Sequence, residues 1–180
     1  MKAMIFDQKE FRNALGRFAT GVTVITTIGP GGNPEGMTAN SFSGLSLDPP
    51  LVQWCIGKLA PTHDIFRDCN HFTINVLRAD QRRMSNQFAT PAEDKFVDVD
   101  WQPGLGGCPI VGDPLAIFEC TNWAQHEGGD HTILIGEVEK FTYHDGDPLL
   151  FSAGKYAHAA PYPDDAMADL QTGKFADLLL

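Results

Sequence analysis

The sequence predicts a mainly β protein, a largely antiparallel barrel with a few short helices at its openings. About six or seven segments rich in β-branched and aromatic residues are separated by Gly/Pro/Asn turn signals, with two or three short amphipathic segments between them. Strands therefore outnumber the helices that could connect parallel neighbours, which disfavours a doubly wound parallel sheet and favours an antiparallel barrel.

The first half of the chain contains two predicted helices and three predicted strands. Residues 7–18 have apolar positions at helical spacing, and Asp7 with Glu10 three residues later is typical of a helix N-terminus. Residues 22–28, VTVITTI, predict a strand, and the Gly/Pro/Asn-rich residues 29–36 predict a turn. A strand, a short helix and a strand with one buried face are predicted next, over residues 51–56, 61–66 and 72–77.

The second half begins with a helix and is otherwise predicted to be strands and loops. Asp80 caps a helix that runs to about Phe88, and residues 91–114 are rich in turn signals. A long hairpin is predicted over residues 115–125 and 132–143, and a last strand over 148–153. We expect one domain over residues 1–157 and an acidic tail over 158–180.

Charge and composition exclude several classes of partner. The net charge of −10 and pI near 4.8 argue against nucleic acid and against anionic membrane surfaces as partners. No apolar run approaches the length of a membrane span, and the N-terminus lacks a secretory pattern. The four cysteines form no C-x-x-C pair, which favours reduced thiols in a cytoplasmic protein.

Residues 36–50, GMTANSFSGLSLDPP, are the segment most suggestive of function. Small hydroxyl and amide side chains lie between a glycine and two prolines, as in a structured irregular loop. Such residues also present hydroxyls and backbone N–H groups to anions. The segment is neither a P-loop nor a Rossmann turn, so an ordinary loop and a ligand loop both remain open.

Other candidate sites have simpler explanations. A metal site at His126 and His131 lacks a third ligand at convincing spacing, and the absence of GxSxG disfavours a serine hydrolase. Lys58, Arg82 and Arg83 are compatible with solvated surface or with phosphate binding.

The chain resembles the short flavin reductases that supply reduced flavin to two-component flavin-dependent monooxygenases, such as the reductase component of 4-hydroxyphenylacetate 3-monooxygenase. The matching segments occur in order over nearly the whole chain and are specific only in combination. They are RFATGVTVITT (17–27), GMTANSFSGLSLDPPLV (36–52), CIGK with a following threonine (55–62), FTINVL (72–77), Q-x-x-M-S-x-x-F-A (81–89), Lys95-Phe96, GDHTILIGEV (129–138) and PLLFSAGKY (148–156).

This resemblance implies an FMN-binding split barrel, a homodimer, and reduction of FMN or FAD by NADH or NADPH. The reduced flavin then diffuses to a separate monooxygenase component. Hydride transfer between two cofactors needs binding and orientation more than a protein nucleophile or base. The resemblance leaves open FMN against FAD, NADH against NADPH, and the identity of the oxygenase. The alternative is a non-enzymatic FMN carrier or storage protein of the same barrel class.

The resemblance also implies site residues. Isoalloxazine and ribityl contacts are expected from Thr38, Ala39, Asn40, Ser41 and Ser43, with Cys55 beneath the ring. The phosphate is expected at Lys58 and Thr62, bordered by Ser85, Phe88 and Ala89. His131 is the expected catalytic residue, orienting the nicotinamide or compensating charge, and Tyr156 is expected near the same cleft.

Three features depart from the family pattern. Gln53-Trp54 replaces small aliphatic residues, so a bulky side chain is expected at the barrel or dimer surface. Leu59-Ala60 replaces serines and removes hydroxyls from the expected phosphate site. The tail has no family counterpart, and its apolar residues are expected to pack on the dimer partner; they are Met167, Leu170, Phe175, Leu178 and Leu179.

Overall fold

A computed structural model describes residues 6–160, which form three α-helices and twelve mostly short strands. The helices are α1 (Gln8–Leu15), α2 (His63–Asp68) and α3 (Arg82–Ala89). The strands are β1 (Thr20–Gly21), β2 (Thr23–Ile28), β3 (Pro34–Ala39), β4 (Ser43–Leu47), β5 (Pro50–Gly57), β6 (His71–Val76), β7 (Trp101–Pro103), β8 (Pro109–Val111), β9 (Ala116–Gly128), β10 (His131–Tyr143), β11 (Leu149–Ser152) and β12 (Lys155–His158).

The main sheet has seven strands in the order β3-β2-β6-β9-β10-β5-β4, and every neighbouring pair is antiparallel. A three-stranded sheet, β1-β11-β12, and the β7–β8 pair are smaller. Because β3 also approaches β5, the main sheet curls back on itself. The predicted antiparallel fold class is confirmed.

The interior of the curled sheet is filled by side chains from six of its strands and from α2. Trp54 is fully buried there, with its ring edge-on to Phe66 at 5.1 Å and to Phe72 at 5.9 Å between centroids. The expectation that Trp54 lies at the barrel or dimer surface is therefore wrong. Inward and outward side chains alternate along β5, which places Trp54 inside and the neighbouring Gln53 on the outer face.

A second core lies on the opposite face of β2. Val24 faces this core while its neighbour Ile25 faces the barrel interior, so both faces of β2 are buried. The second core is completed by α3, β8 and β11, through Phe88, Val111 and Leu149. This double burial is consistent with β2 being β-branched at all six positions.

Residues 36–50 form strands where the sequence predicted an irregular loop. All six residues of β3 pair with β2, from Thr23 opposite Ala39 to Ile28 opposite Pro34. β3 therefore begins inside the predicted turn, and the polar segment is a strand, a three-residue connection and a second strand. Backbone pairing with β2 outweighs the weak strand propensity of the polar side chains.

The other predicted elements lie close to their expected positions. Asp7 caps α1 by accepting hydrogen bonds from the backbone N–H groups of Lys9 and Glu10, as predicted. The helix ends at Leu15, three residues early, and none of its residues is buried. The long hairpin is confirmed as β9 and β10, whereas the β7–β8 pair and β12 were not predicted.

No helix within residues 6–160 is long and apolar enough to cross a membrane. The expected packing of the tail, 161–180, on a partner lies outside the described residues. The boundary predicted after residue 157 stays a prediction.

We expect Gly136→Ala to destabilise the barrel. A Cβ atom at Gly136 would lie 2.5 Å from Cζ of Phe72 and 2.8 Å from Cβ of Cys120, so one of these side chains must move. Overpacking of this kind lowers the free energy of unfolding by about 1–3 kcal/mol, measurable by urea denaturation.

Gly21→Ala is the matched control, because nothing lies within 4 Å of the added methyl group. Equal stability of the Gly136→Ala variant and the wild type would show that the barrel interior accommodates the extra carbon.

Candidate functional site

A cleft of about 820 Å³ opens between β3, the start of α2, the end of α3 and the segment that follows α3. Its walls combine apolar side chains with two threonine hydroxyls, three carboxylates and one lysine. The residues that matter here are Glu35, Gly36, Met37, Thr38, Thr62, Phe88, Ala89, Glu93, Asp94, Lys95, Phe96 and Trp101. A pocket of this size accommodates a mononucleotide-sized ligand.

The back wall of the cleft is formed where α3 packs directly on β3. A Cβ atom at Gly36 would lie 2.6 Å from Cε1 of Phe88, so the phenyl ring rests on the strand backbone. Two residues further along β3, the Thr38 hydroxyl donates to the Ser85 carbonyl oxygen at 2.6 Å. Glycine is therefore required at position 36 by this close approach.

Lys95 holds the same wall from the loop after α3. Its Nζ donates to the carbonyl oxygens of Gly36 at 3.3 Å and Phe88 at 3.0 Å, and thus links the strand to the helix end. Burial lowers the pKa of the Lys95 ammonium, and the nearby Glu35 carboxylate opposes that shift. Among the described residues that line the cleft, Lys95 is the one basic side chain.

A hydroxyl pair lies behind this wall. The Tyr156 hydroxyl lies 2.8 Å from Ser85 Oγ and donates to Asn86 Oδ1 at 2.9 Å. The Arg82 guanidinium stacks over the Tyr156 ring at 5.2 Å from its centroid. Ser85 is buried, so these contacts connect β12 to α3 and support the helix from the side away from the cleft.

The polar residues after β3 close the barrel edge. The Ser41 hydroxyl accepts from the Cys55 N–H at 2.9 Å and donates to the Cys55 carbonyl oxygen at 3.1 Å. Ser43 accepts a hydrogen bond from Gln53, and Asn40 donates to a threonine of β1. Burial raises the pKa of the Cys55 thiol, which keeps it protonated at neutral pH.

Lys58 and His131 lie together at the turn between β9 and β10. Lys58 Nζ donates to the Gly129 carbonyl oxygen at 2.8 Å and forms an ion pair with Glu127. His131 lies opposite Gly57 in the strand register, and its Nδ1 is 2.8 Å from Asp130 Oδ1. Lys58 and His131 do not line the cleft.

The structure therefore separates the predicted site residues into several groups. Thr38, Thr62, Phe88 and Ala89 line the cleft. Ser85 and Tyr156 lie behind its wall, and Lys58 and His131 lie at the hairpin turn. Ala39 is buried in the barrel core, and the barrel edge holds Asn40, Ser41, Ser43 and Cys55.

Sequence reasoning missed Lys95 as a cleft residue. It had identified Lys95-Phe96 only as one of the segments shared with flavin reductases. The signal in the sequence is a lysine beside an aromatic residue in a turn-rich stretch. The residues around Lys95 do not indicate that it contacts β3.

Comparison with known proteins supports the same family throughout. A family model described as "Flavin reductase like domain" matches residues 15–160. The chain is 48% identical over 150 residues to the FMN reductase (NADH) SmoA of Agrobacterium fabrum, covering 83% of this chain and 85% of that protein. It is 39% identical over 164 residues to the flavin-dependent monooxygenase reductase subunit HsaB of Mycobacterium tuberculosis, covering 89% of this chain and 87% of that protein.

Solved structures agree with these sequence matches. The NADH:FAD oxidoreductase SgcE6 of Streptomyces globisporus, solved in complex with NAD and FAD fragments, superposes with a TM-score of 0.83. Sequence identity is 41%, and the match covers 90% of this chain and 100% of that one. The expected split-barrel fold is confirmed by this likeness. The chain belongs to the flavin reductase like domain family.

Proposed function

We propose that this protein is an NAD(P)H-dependent flavin reductase, which transfers a hydride from a nicotinamide cofactor to FMN or FAD. The observation that carries the proposal is the family match over residues 15–160. All residues that line the cleft lie within this range. Two of the compared relatives are named as NADH-dependent, so NADH is the proposed donor.

The cleft is large enough for a flavin, and its apolar and hydroxyl side chains suit the ring and the ribityl chain. Met37, Phe88 and Trp101 supply apolar surface, while Thr38 and Thr62 supply hydroxyls. When bound, the flavin supplies the hydride-accepting ring, so the residues around it need only bind and orient it. Thr62 and Lys95 are the proposed phosphate contacts, because both line the cleft and an ammonium group forms charge-assisted hydrogen bonds to phosphate.

His131 is the proposed nicotinamide contact. It lies at the first position of β10, and its side chain is about half exposed. The hydrogen bond between its Nδ1 and Asp130 Oδ1 restricts the orientation of the ring. The proposed role is to orient the nicotinamide, which requires no proton transfer.

The proposed partner is a flavin-dependent monooxygenase component that receives reduced flavin by diffusion. The likeness to a monooxygenase reductase subunit supports this pairing. A cytoplasmic location is also proposed, since the four cysteines are unpaired and reduced thiols are typical of that compartment.

A homodimer is proposed from the apolar surface formed by α1 and by Phe18, three residues beyond its end. The exposed fraction is 49% for Phe11, 58% for Leu15 and 79% for Phe18. An amphipathic helix with no buried residue is typical of an interface, because its apolar side chains otherwise remain in water. A second copy of the chain, presenting the same face, is the proposed occupant.

The reductase proposal predicts that flavin is bleached when protein and NADH are mixed anaerobically with excess FMN or FAD. Absorbance should fall both at about 340 nm, from NADH, and at about 450 nm, from oxidised flavin, because the cofactors exchange a hydride. Flavin binding without NADH-dependent bleaching would instead support the carrier alternative.

We expect Lys95→Met to weaken flavin binding. The substitution removes the ammonium group from the cleft while keeping much of the apolar side chain, so the dissociation constant should rise by about tenfold. Fluorescence titration of FMN measures the change, with Lys9→Met on the exposed α1 surface as the control. An unchanged dissociation constant would limit Lys95 to linking β3 to α3.

We expect Leu15→Glu to convert the dimer into a monomer. A carboxylate in the centre of an apolar interface loses its hydration on association, at a cost of several kcal/mol. Light scattering coupled to size-exclusion chromatography measures the mass. Asn13→Asp adds the same charge to another position of α1 and should leave the dimer intact, whereas a dimeric Leu15→Glu variant would place the interface elsewhere.

A further inference from the structure

We propose that Lys58 is a positioning residue: its hydrogen bonds and ion pair hold the β9–β10 turn and thereby fix the position of His131. The inference rests on the proposed function, in which His131 contacts the nicotinamide. It gives Lys58 a different role from the phosphate contact expected from the family resemblance.

Lys58 contacts the turn through both its backbone and its side chain. Its N–H donates to the Asp130 carbonyl oxygen at 2.9 Å, which extends the β5–β10 ladder by one residue beyond Gly57. Its Nζ donates to the Gly129 carbonyl oxygen at 2.8 Å and pairs with the Glu127 carboxylate. One residue therefore contacts three of the four residues that immediately precede His131.

Apart from the backbone pairing of β9 with β10, which reaches Gly128 opposite His131, the turn has few other contacts that could hold it. Gly129 has a φ of +76°, as a tight two-residue hairpin turn requires, and nothing lies within 4 Å of its Cβ position. The Asp130 side chain is 95% exposed. Surface turns with so little packing open easily, so hydrogen bonds from a neighbouring strand determine how long the turn stays ordered.

The electrostatics of the turn agree with this arrangement. The pKa of the Asp130 carboxyl is lowered, first by its hydrogen bond with His131 and also by the Lys58 charge. The pKa of the Glu127 carboxyl is lowered by its hydrogen bond with Lys58. The Lys58 ammonium group thus favours the charged form of both carboxyl groups.

The position of Lys58 also argues against a phosphate contact. It lies outside the lining of the cleft, whereas Thr62 and Lys95 lie within it. Its ammonium group donates to Gly129 and Glu127 of the hairpin, whereas the Lys95 ammonium group donates to Gly36 and Phe88 of the cleft wall. Recruiting Lys58 to a phosphate would leave Glu127 without its partner.

Four variants separate these two roles: Lys58→Met, Lys58→Arg, Glu127→Gln and His131→Ala. For each, we would measure the flavin dissociation constant, KM for NADH, kcat, and amide hydrogen exchange over residues 127–131 in the flavin-free protein. Lys9→Met is the control for loss of a lysine charge, since Lys9 is exposed on α1 and distant from Lys58 along the chain.

A positioning role predicts that Lys58→Met raises KM for NADH by about tenfold and leaves the flavin dissociation constant within about twofold. Hydrogen exchange in the turn should accelerate by a similar factor, because the contacts of the Lys58 ammonium group with the turn are absent. Glu127→Gln should show a smaller change in the same direction. Lys58→Arg keeps the positive charge and should behave nearly like the wild type. His131→Ala should raise KM for NADH without faster hydrogen exchange.

A tenfold weaker flavin complex in Lys58→Met, with unchanged KM for NADH in Glu127→Gln, would overturn the proposal and support a phosphate contact. Unchanged hydrogen exchange over residues 127–131 in Lys58→Met would also overturn it. If the wild-type protein showed no NADH-dependent flavin reduction, the proposed function would be wrong. Hydrogen exchange would still test whether Lys58 holds the turn.

Discussion

The packing of α3 on β3 at Gly36 is the contact on which the candidate site depends. β3 is an edge strand of the main sheet, and one side of it is paired with β2. The Phe88 ring rests on the Gly36 backbone, Thr38 donates to the Ser85 carbonyl oxygen, and Lys95 joins both elements. Because these contacts follow one another along β3, the cleft wall is held in place by the main sheet.

Large and small residues are matched across the barrel interior, on β5, β6 and β10. Trp54 and Phe72 are fully buried in the barrel interior, and their rings pack edge-on with 5.9 Å between centroids. Gly136 compensates on β10, where the Phe72 ring lies against the backbone. Close packing of protein interiors makes such size changes interdependent, so a large residue on one strand requires a small one nearby.

Sequence pattern predicted those parts of the structure that depend on neighbouring residues. The Asp7 cap and the β9–β10 hairpin follow from local spacing, and both were placed correctly. Pairing of β3 with β2 and the contacts of Lys95 depend on residues distant along the chain: Lys95 is 59 residues from Gly36. Local propensity carries no information about such partners, so residues 36–50 were assigned to a loop and Lys95 was missed.

The start of α2 connects the two regions proposed to hold the flavin and the nicotinamide. Thr62 lines the cleft, and the next residue, His63, has its Nε2 2.9 Å from Oγ1 of Thr132. Thr132 is buried and directly follows His131. Since hydride transfer depends on the relative placement of two rings, a short and rigid connection between their sites is more effective than two independent ones. Two adjacent residues at the start of α2 therefore connect the cleft wall to the strand position beside His131, the proposed nicotinamide contact.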